Sequence, residues 1–162
     1  MTSDFYAKLA AVRRRIHAHP EISENEFETT AFLKEYISKL GIRILETDLP
    51  TGFIAEIGHG KPVIALRADI DALPIKEKNT FDYASQNGAM HACGHDFHQT
   101  SLLGAAEILK AKEEQLKGTV RLIFQPAEEV SVGAYQVIEN GGLKDVSAII
   151  GYHNYPHLKP GE

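Results

Sequence analysis

Helix-like and strand-like hydrophobic patterns alternate along the whole chain, and this alternation restricts it to an α/β architecture. From Ser3, which is placed to cap a helix, Phe5, Leu9, Val12 and Ile16 recur at helical spacing until Pro20 discourages continuation. In "SENE", Ser23 and Glu26 have the spacing of a capping box; Thr30, Leu33, Ile37 and Leu40 then share one side before Gly41. "IRILET", "GFIAEIG" and "PVIALRAD" are rich in branched residues and read as strands. A third helix is expected over about 98–116, on the stripe of Leu102, Ala105, Ala106 and Leu109. "TVRLIF" reads as a strand stopped by Pro126, "VGAYQVIEN" as a short helix, and "SAIIGY" as another buried strand.

The composition sets limits on function. With 162 residues, 43% hydrophobic and 24% charged, the chain has the makeup of a globular domain able to bury a core. A net charge of −5 argues against a nucleic-acid partner. No apolar run approaches the roughly 20 residues that span a bilayer, and the start "MTSDFYAKLAAVRRR" lacks a signal pattern, so no membrane association and a cytoplasmic location are expected. The single cysteine, Cys93, cannot close an internal disulfide and is free for metal or nucleophilic work.

Polar residues gather just past the strands: Asp69 and Asp71 after one, Glu128 and Glu129 after the next, His153 after the last. Ligands of open α/β sheets collect at these carboxyl ends. "MHACGHDFH" adds a thiol, three imidazoles and a carboxylate within nine residues, a donor set suited to zinc or a neighbouring first-row ion. Cys93 and His95 lead as ligands on an irregular loop around Gly94, with His91 and His98 competing. If one glutamate of "QPAEEV" binds metal, its neighbour can take a proton from metal-bound water; the alternative is a solvated acidic run.

Taken together, "RRRIHAHPEISENEFET", "ALRADIDALPI", "MHACGHDFH", "IFQPAEE" and "GYHNYPHLKPGE" resemble, in order, the M20 metallopeptidase family, in particular its amidohydrolase branch. That branch includes N-acyl-amino-acid, hippurate and auxin-conjugate hydrolases and N-acetyldiaminopimelate deacetylases. The resemblance implies helices packed on a mixed, largely parallel central sheet, as in zinc peptidases. It implies that Cys93, His95, Glu129 and His153 are ligands of a two-metal centre holding zinc, manganese, cobalt or nickel. Glu128 then matches the general base that works on metal-activated water. Asp69 or Asp71, with a lean to Asp69, matches the aspartate that orients a ligand and supports catalysis, and His91 and His98 are candidates to support the ligands from behind. The implied substrate is a small N-acyl amino acid with an acetyl, benzoyl or similar acyl group.

The same resemblance makes residues 1–162 the N-terminal part of a truncated catalytic domain. An inserted dimerisation domain and a C-terminal return that carries the last metal-binding histidine are expected to be absent. The resemblance leaves a family-like homodimer open, although the domain that mediates it is expected to be absent here. The competing expectation is an inactive fragment or folding module that binds metal weakly or associates with a partner; a cysteine hydrolase built on Cys93 ranks low. Of the remaining residues, His17 and His19 are expected to pack or cap a helix end, Arg67 to pair with a neighbouring acid, and Arg13, Arg14 and Arg15 to form a solvated face. His59 and His157 have no task.

Overall fold

The computed structural model describes residues 2–159. The chain runs α1 (Ser3–Ala18), α2 (Phe27–Lys39), β1 (Arg43–Ile44), β2 (Phe53–Gly58), β3 (Val63–Asp69), α3 (His95–Lys110), a 3-10 turn (Glu113–Gln115), β4 (Thr119–Gln125), α4 (Gly133–Glu139) and β5 (Val146–Gly151). The strands form a mixed sheet in the order β1-β2-β4-β3-β5. β3 pairs in parallel with both β4 and β5, while β2 runs antiparallel to β4 and to β1. Only β2 therefore opposes the common strand direction.

The alternation of the pleat sorts the core onto two faces. Phe53, Ala55 and Ile57 of β2 and Leu122 and Phe124 of β4 point to the face covered by Ile16, by Leu33 and Ile37, and by Leu102, Leu103 and Ala106, from α1, α2 and α3 respectively. Phe53 and Phe124 stack there with centroids 4.5 Å apart. Ile54, Ala65 and Ile123 point the other way, to a smaller cluster closed by Leu49 and by Val137 of α4. Each fully buried large side chain contributes about 1.5–3 kcal/mol, so the three-helix face dominates stability.

Four sequence expectations change. Thr2, not Ser3, caps α1, its side chain accepting from the Phe5 N–H. Ser23 and Glu26 form no capping box: the first turn of α2 is capped by Glu21, whose carboxylate accepts from Glu28 N at 3.2 Å and Thr29 N at 2.7 Å. α3 starts at His95, three residues earlier than expected, because Gly94 takes φ +89° as its N-cap and turns the chain into the helix sooner. The strand from "SAIIGY" forms but is exposed, with Ile149 at 49% and Ile150 at 60% accessibility, since β5 is an edge strand among the described residues. No helix of the described residues is long and apolar enough to cross a membrane.

Candidate metal centre

β4, β3 and β5 are neighbours pointing the same way, so their carboxyl ends line up along one rim of the sheet. Asp69 and Asp71 leave β3, Glu128 and Glu129 follow β4, and His153 follows β5. α3 brings its first turn over that rim. Helical phase then sets His95 and His98 on one side of α3, their rings 5.4 Å apart.

Local features hold the loops in place. At Gly94 an added Cβ would lie 2.2 Å from Asn154 Oδ1, so the turn between Cys93 and His95 needs glycine for both its positive φ and the close approach. The glutamate turn carries Ala127 at φ +47°, an unfavourable conformation for a residue with a Cβ. It is braced by buried Glu26, whose carboxylate accepts from Ala127 N and Thr51 Oγ1, both at 2.7 Å. Gly133 completes the brace, for a Cβ there would collide with the Pro126 carbonyl at 1.6 Å.

The side chains converge on His95. Its Nδ1 lies 3.1 Å from Asp71 Oδ1 and 3.0 Å from the Asp71 carbonyl, while its Nε2 stands 3.7 Å from each of Asp69 Oδ2, Glu128 Oε2 and Glu129 Oε1. Cys93 Sγ and His153 Nε2 are 3.2 Å apart. Ligand atoms of Cys93, His95 and His153 lie within 4.8 Å of one another, as do those of His95, Glu128 and Glu129, and those of Asp69, His95 and His98. His98 Nδ1 is 2.6 Å from Asp69 Oδ1, and its Nε2 accepts from Asn154 N at 3.1 Å.

Of the two aspartates, Asp71 is the one that meets the ring nitrogen of His95 at hydrogen-bond distance, whereas the sequence leaned to Asp69. Asp71 is itself fixed by Ser23 Oγ at 2.7 Å and Glu129 N at 2.9 Å. Asp69 meets His98 and accepts from Arg67 at 2.6 Å, the acid pairing expected of that arginine. Ser23, Glu26 and Asn154 escaped the sequence reading as members of the site. Only Asn154 left a signal, sitting beside His153 in "GYHN".

The electrostatics ask for a cation. Burial pushes the Asp69 carboxyl up, but His98, His95 and Arg67 outweigh it and hold the group below its ordinary range. Asp71 is likewise lowered: burial opposes, and the bonds from His95, Glu129 N and Ser23 prevail. Burial lowers the His95 pKa, yet Asp71, Asp69 and Glu129 together raise it. Burial and the charge on Glu129 push the Cys93 thiol up to about 11, so the protein alone keeps it protonated and a bound cation is what would make it a thiolate. Among the described residues, His95 Nε2 and Glu129 Oε1 are buried with no hydrogen-bond partner, a state polar atoms avoid unless something else satisfies them. Thiol, imidazole and carboxylate donors around such open positions fit a first-row transition ion.

The other histidines divide. Both ring nitrogens of His91 are buried and without a partner among the described residues, and burial depresses its pKa to about 4, so it is neutral. His17 lies in a separate buried ion-paired cluster, not at the rim. Arg13, Arg14 and Arg15 are less idle than a solvated face: Arg13 pairs with buried Asp96 at 2.9 Å, Arg14 lies over Tyr83 and Arg15 over Phe32. His59 and His157 are exposed.

Residues 65–162 match the family model described as Peptidase family M20/M25/M40. The chain belongs to this family. Among its M20 relatives, an N-acetyl-L-cysteine deacetylase of Bacillus subtilis is 54% identical over 157 residues, 95% of this chain and 38% of that protein. IAA-amino acid hydrolase ILR1-like 5 of Arabidopsis thaliana is 47% identical over 152 residues, 93% of this chain and 35% of that one. A crystal structure of a B. subtilis M20 peptidase described as dinuclear metal-binding superposes with a TM-score of 0.94 at 51% identity, covering 98% of this chain and 45% of that one. The chain thus spans less than half the length of these relatives.

Proposed function

We propose that residues 1–162 are the N-terminal part of the catalytic domain of a metal-dependent amidohydrolase that cleaves the amide bond of N-acyl amino acids. The observation that carries the reading is the ring of Asp69, Glu128 and Glu129 oxygens, each 3.7 Å from the unpartnered, buried Nε2 of His95. Similarity to an N-acetyl-L-cysteine deacetylase and an IAA-amino acid hydrolase supports an N-acyl amino acid as substrate.

In this reading Cys93, His95, Glu129 and His153 hold two divalent ions, zinc, manganese, cobalt or nickel. When bound, the ions polarise the scissile carbonyl and make the attacking water more acidic. Asp71 fixes the His95 ring through Nδ1, leaving Nε2 as the ligand atom. Glu128, half-buried and next to a ligand in sequence, accepts the proton of the attacking water and returns it to the departing amine, so that a carboxylic acid and an amino acid leave. Asp69 holds His98 and, with Arg67, keeps negative charge beside the centre.

The test is elemental analysis of the purified protein after dialysis against zinc, manganese or cobalt, with an assay of N-acetyl and N-benzoyl amino acid hydrolysis. About two ions per chain, together with turnover that Glu128→Gln removes while the ions remain, is the expected result. Absence of bound metal at micromolar ion, or turnover that survives Glu128→Gln, would sink the proposal.

A further inference from the structure

"IHAHPE" takes no part in the centre just described, yet its His17 is 4% exposed and held at both ring nitrogens. Nδ1 lies 2.8 Å from Asp96 Oδ2 and Nε2 lies 2.9 Å from Glu77 Oε1. A neutral imidazole carries one N–H and one lone pair, so only the imidazolium satisfies two carboxylates at once. The hydrogen bond that His17 donates to Asp96 accordingly raises the His17 pKa; burial opposes it, and Glu77 reinforces it.

Three separate parts of the chain meet at this cation. His17 comes from the last turn of α1. Asp96 is fully buried in the first turn of α3, directly after His95, and also accepts from Arg13 Nε at 2.9 Å. Glu77 belongs to the long connection between β3 and α3, where it also takes Asn79 Nδ2 and the Ser85 N–H. The same connection lays Phe81 and Tyr83, stacked at 4.2 Å, against the His17 ring, each with its centroid 5.7 Å away, and so screens the cluster from water. That connection begins with Ile70 and Asp71 and ends with Cys93 and Gly94.

We infer that His17 is a positioning residue for the metal centre: by clamping Asp96 it fixes the first turn of α3 and thereby the Cys93–Gly94–His95 turn that presents the ligands. The geometry favours this over a purely packing role. The clamp grips the residue adjoining His95, and Glu77 ties the connection that leads into the same turn to the same cation. Ligand atoms must be held closely for tight binding, and loosening what supports them costs metal affinity.

The inference rests on the proposed metal centre, and the experiment separates the two. Cobalt(II) alone is titrated into the protein, with the cobalt–thiolate charge-transfer band of Cys93 and the dissociation constant as readouts. His17→Ala is expected to weaken cobalt about 10-fold, at the low end for groups behind a ligand, and to shift the band. His17→Asn, whose amide nitrogen overlays Nδ1 and can still donate to Asp96, should restore most of the affinity. His17→Gln, which reaches toward Glu77 instead, should not. Ile57→Ala, a cavity at the far end of β2, controls for lost stability and should leave both readouts unchanged. If His17→Ala does not fold, the Asn and Gln pair decides alone. Equal affinities for Asn and Gln, or a band that moves no more than in Ile57→Ala, overturn the positioning role. A parent protein with no cobalt–thiolate band overturns the metal centre itself, and this inference with it.

Discussion

His17 and His95 are both buried imidazoles set among carboxylates, but their nitrogens are used differently. His17 has a carboxylate within 2.9 Å of each nitrogen. At His95, Nδ1 is taken by Asp71, and Nε2 faces three acids at 3.7 Å, too far to hydrogen-bond and well placed to share a cation. His91, with neither nitrogen partnered among the described residues, is the third case. In the proposed reading, the buried histidine that is fully satisfied is the brace and the one left half open among acids is the ligand. Burial alone does not separate the two; a count of partners at each nitrogen does.

The contrast is sharpest in chemistry. If the proposed reading holds, Glu128→Gln keeps the size and polarity of the residue but removes the proton acceptor, and hydrolysis should fall about 10²–10⁴-fold, with metal content unchanged by elemental analysis. Equal loss of metal would make Glu128 a ligand and blur the division with Glu129.

At the His17 brace the expected effect is on stability, and it depends on pH. The His17 pKa is raised above 6.5, so its contribution is complete below about 6.5 and is lost as pH rises through the folded value. Asp96 and Glu77 are lowered despite burial, Asp96 by His17, His91 and Arg13, Glu77 by Asn79, His17 and Ser85 N, so their contribution is lost only as pH falls through those depressed values. Between these limits, breaking the pair with His17→Gln should cost about 3 kcal/mol, as for one removed partner of a buried pair. The difference from the parent, followed by urea melts, should narrow on the alkaline side. A difference that widens as pH rises would mean that neutral His17 is the stabilising form.

Asp71→Asn tests the closed half of His95. An amide can still meet the ring but no longer carries the charge that makes it basic, and metal affinity should drop about 10–100-fold. Asp69→Asn should act less on affinity if its main partner is His98. A reversed order of the two, measured by competition with a chelator, would return the orienting role to Asp69.

How much of this was legible in the sequence depends on the range of the interaction. The alternating patterns found the helices and strands of the described residues, although the third helix, expected to reach 116, ends at Lys110 and gives way to a 3-10 turn; the acids stood out because they follow strands whose ends the sheet topology then aligns. The brace left no comparable mark: His17 and Asp96 are separated by 79 positions, and nothing local to "IHAHPE" specifies a carboxylate on each side. β5 shows the opposite failure. Ile149 and Ile150 record a preference for burial, but a run of apolar residues does not say whether anything covers them.

The capping box of α2 shows how a correct local pattern can be overridden. "SENE" has the right spacing, but Ser23 donates to Asp71 and Glu26 braces Thr51 and Ala127, so both residues serve the site. Glu21 supplies the cap in their place, its carboxylate on Glu28 N and Thr29 N next to the positive end of the helix. The exchange predicts a separation of effects. Glu21→Ala should lower stability by about 1 kcal/mol, the usual value of an N-cap, without changing cobalt affinity. Glu26→Ala should disturb the turn that carries Glu128 and Glu129, and metal affinity with it. If Glu21→Ala weakened cobalt as much as Glu26→Ala, the cap and the site would be one cooperative unit, and the division drawn between brace and ligand would have to include the whole start of α2.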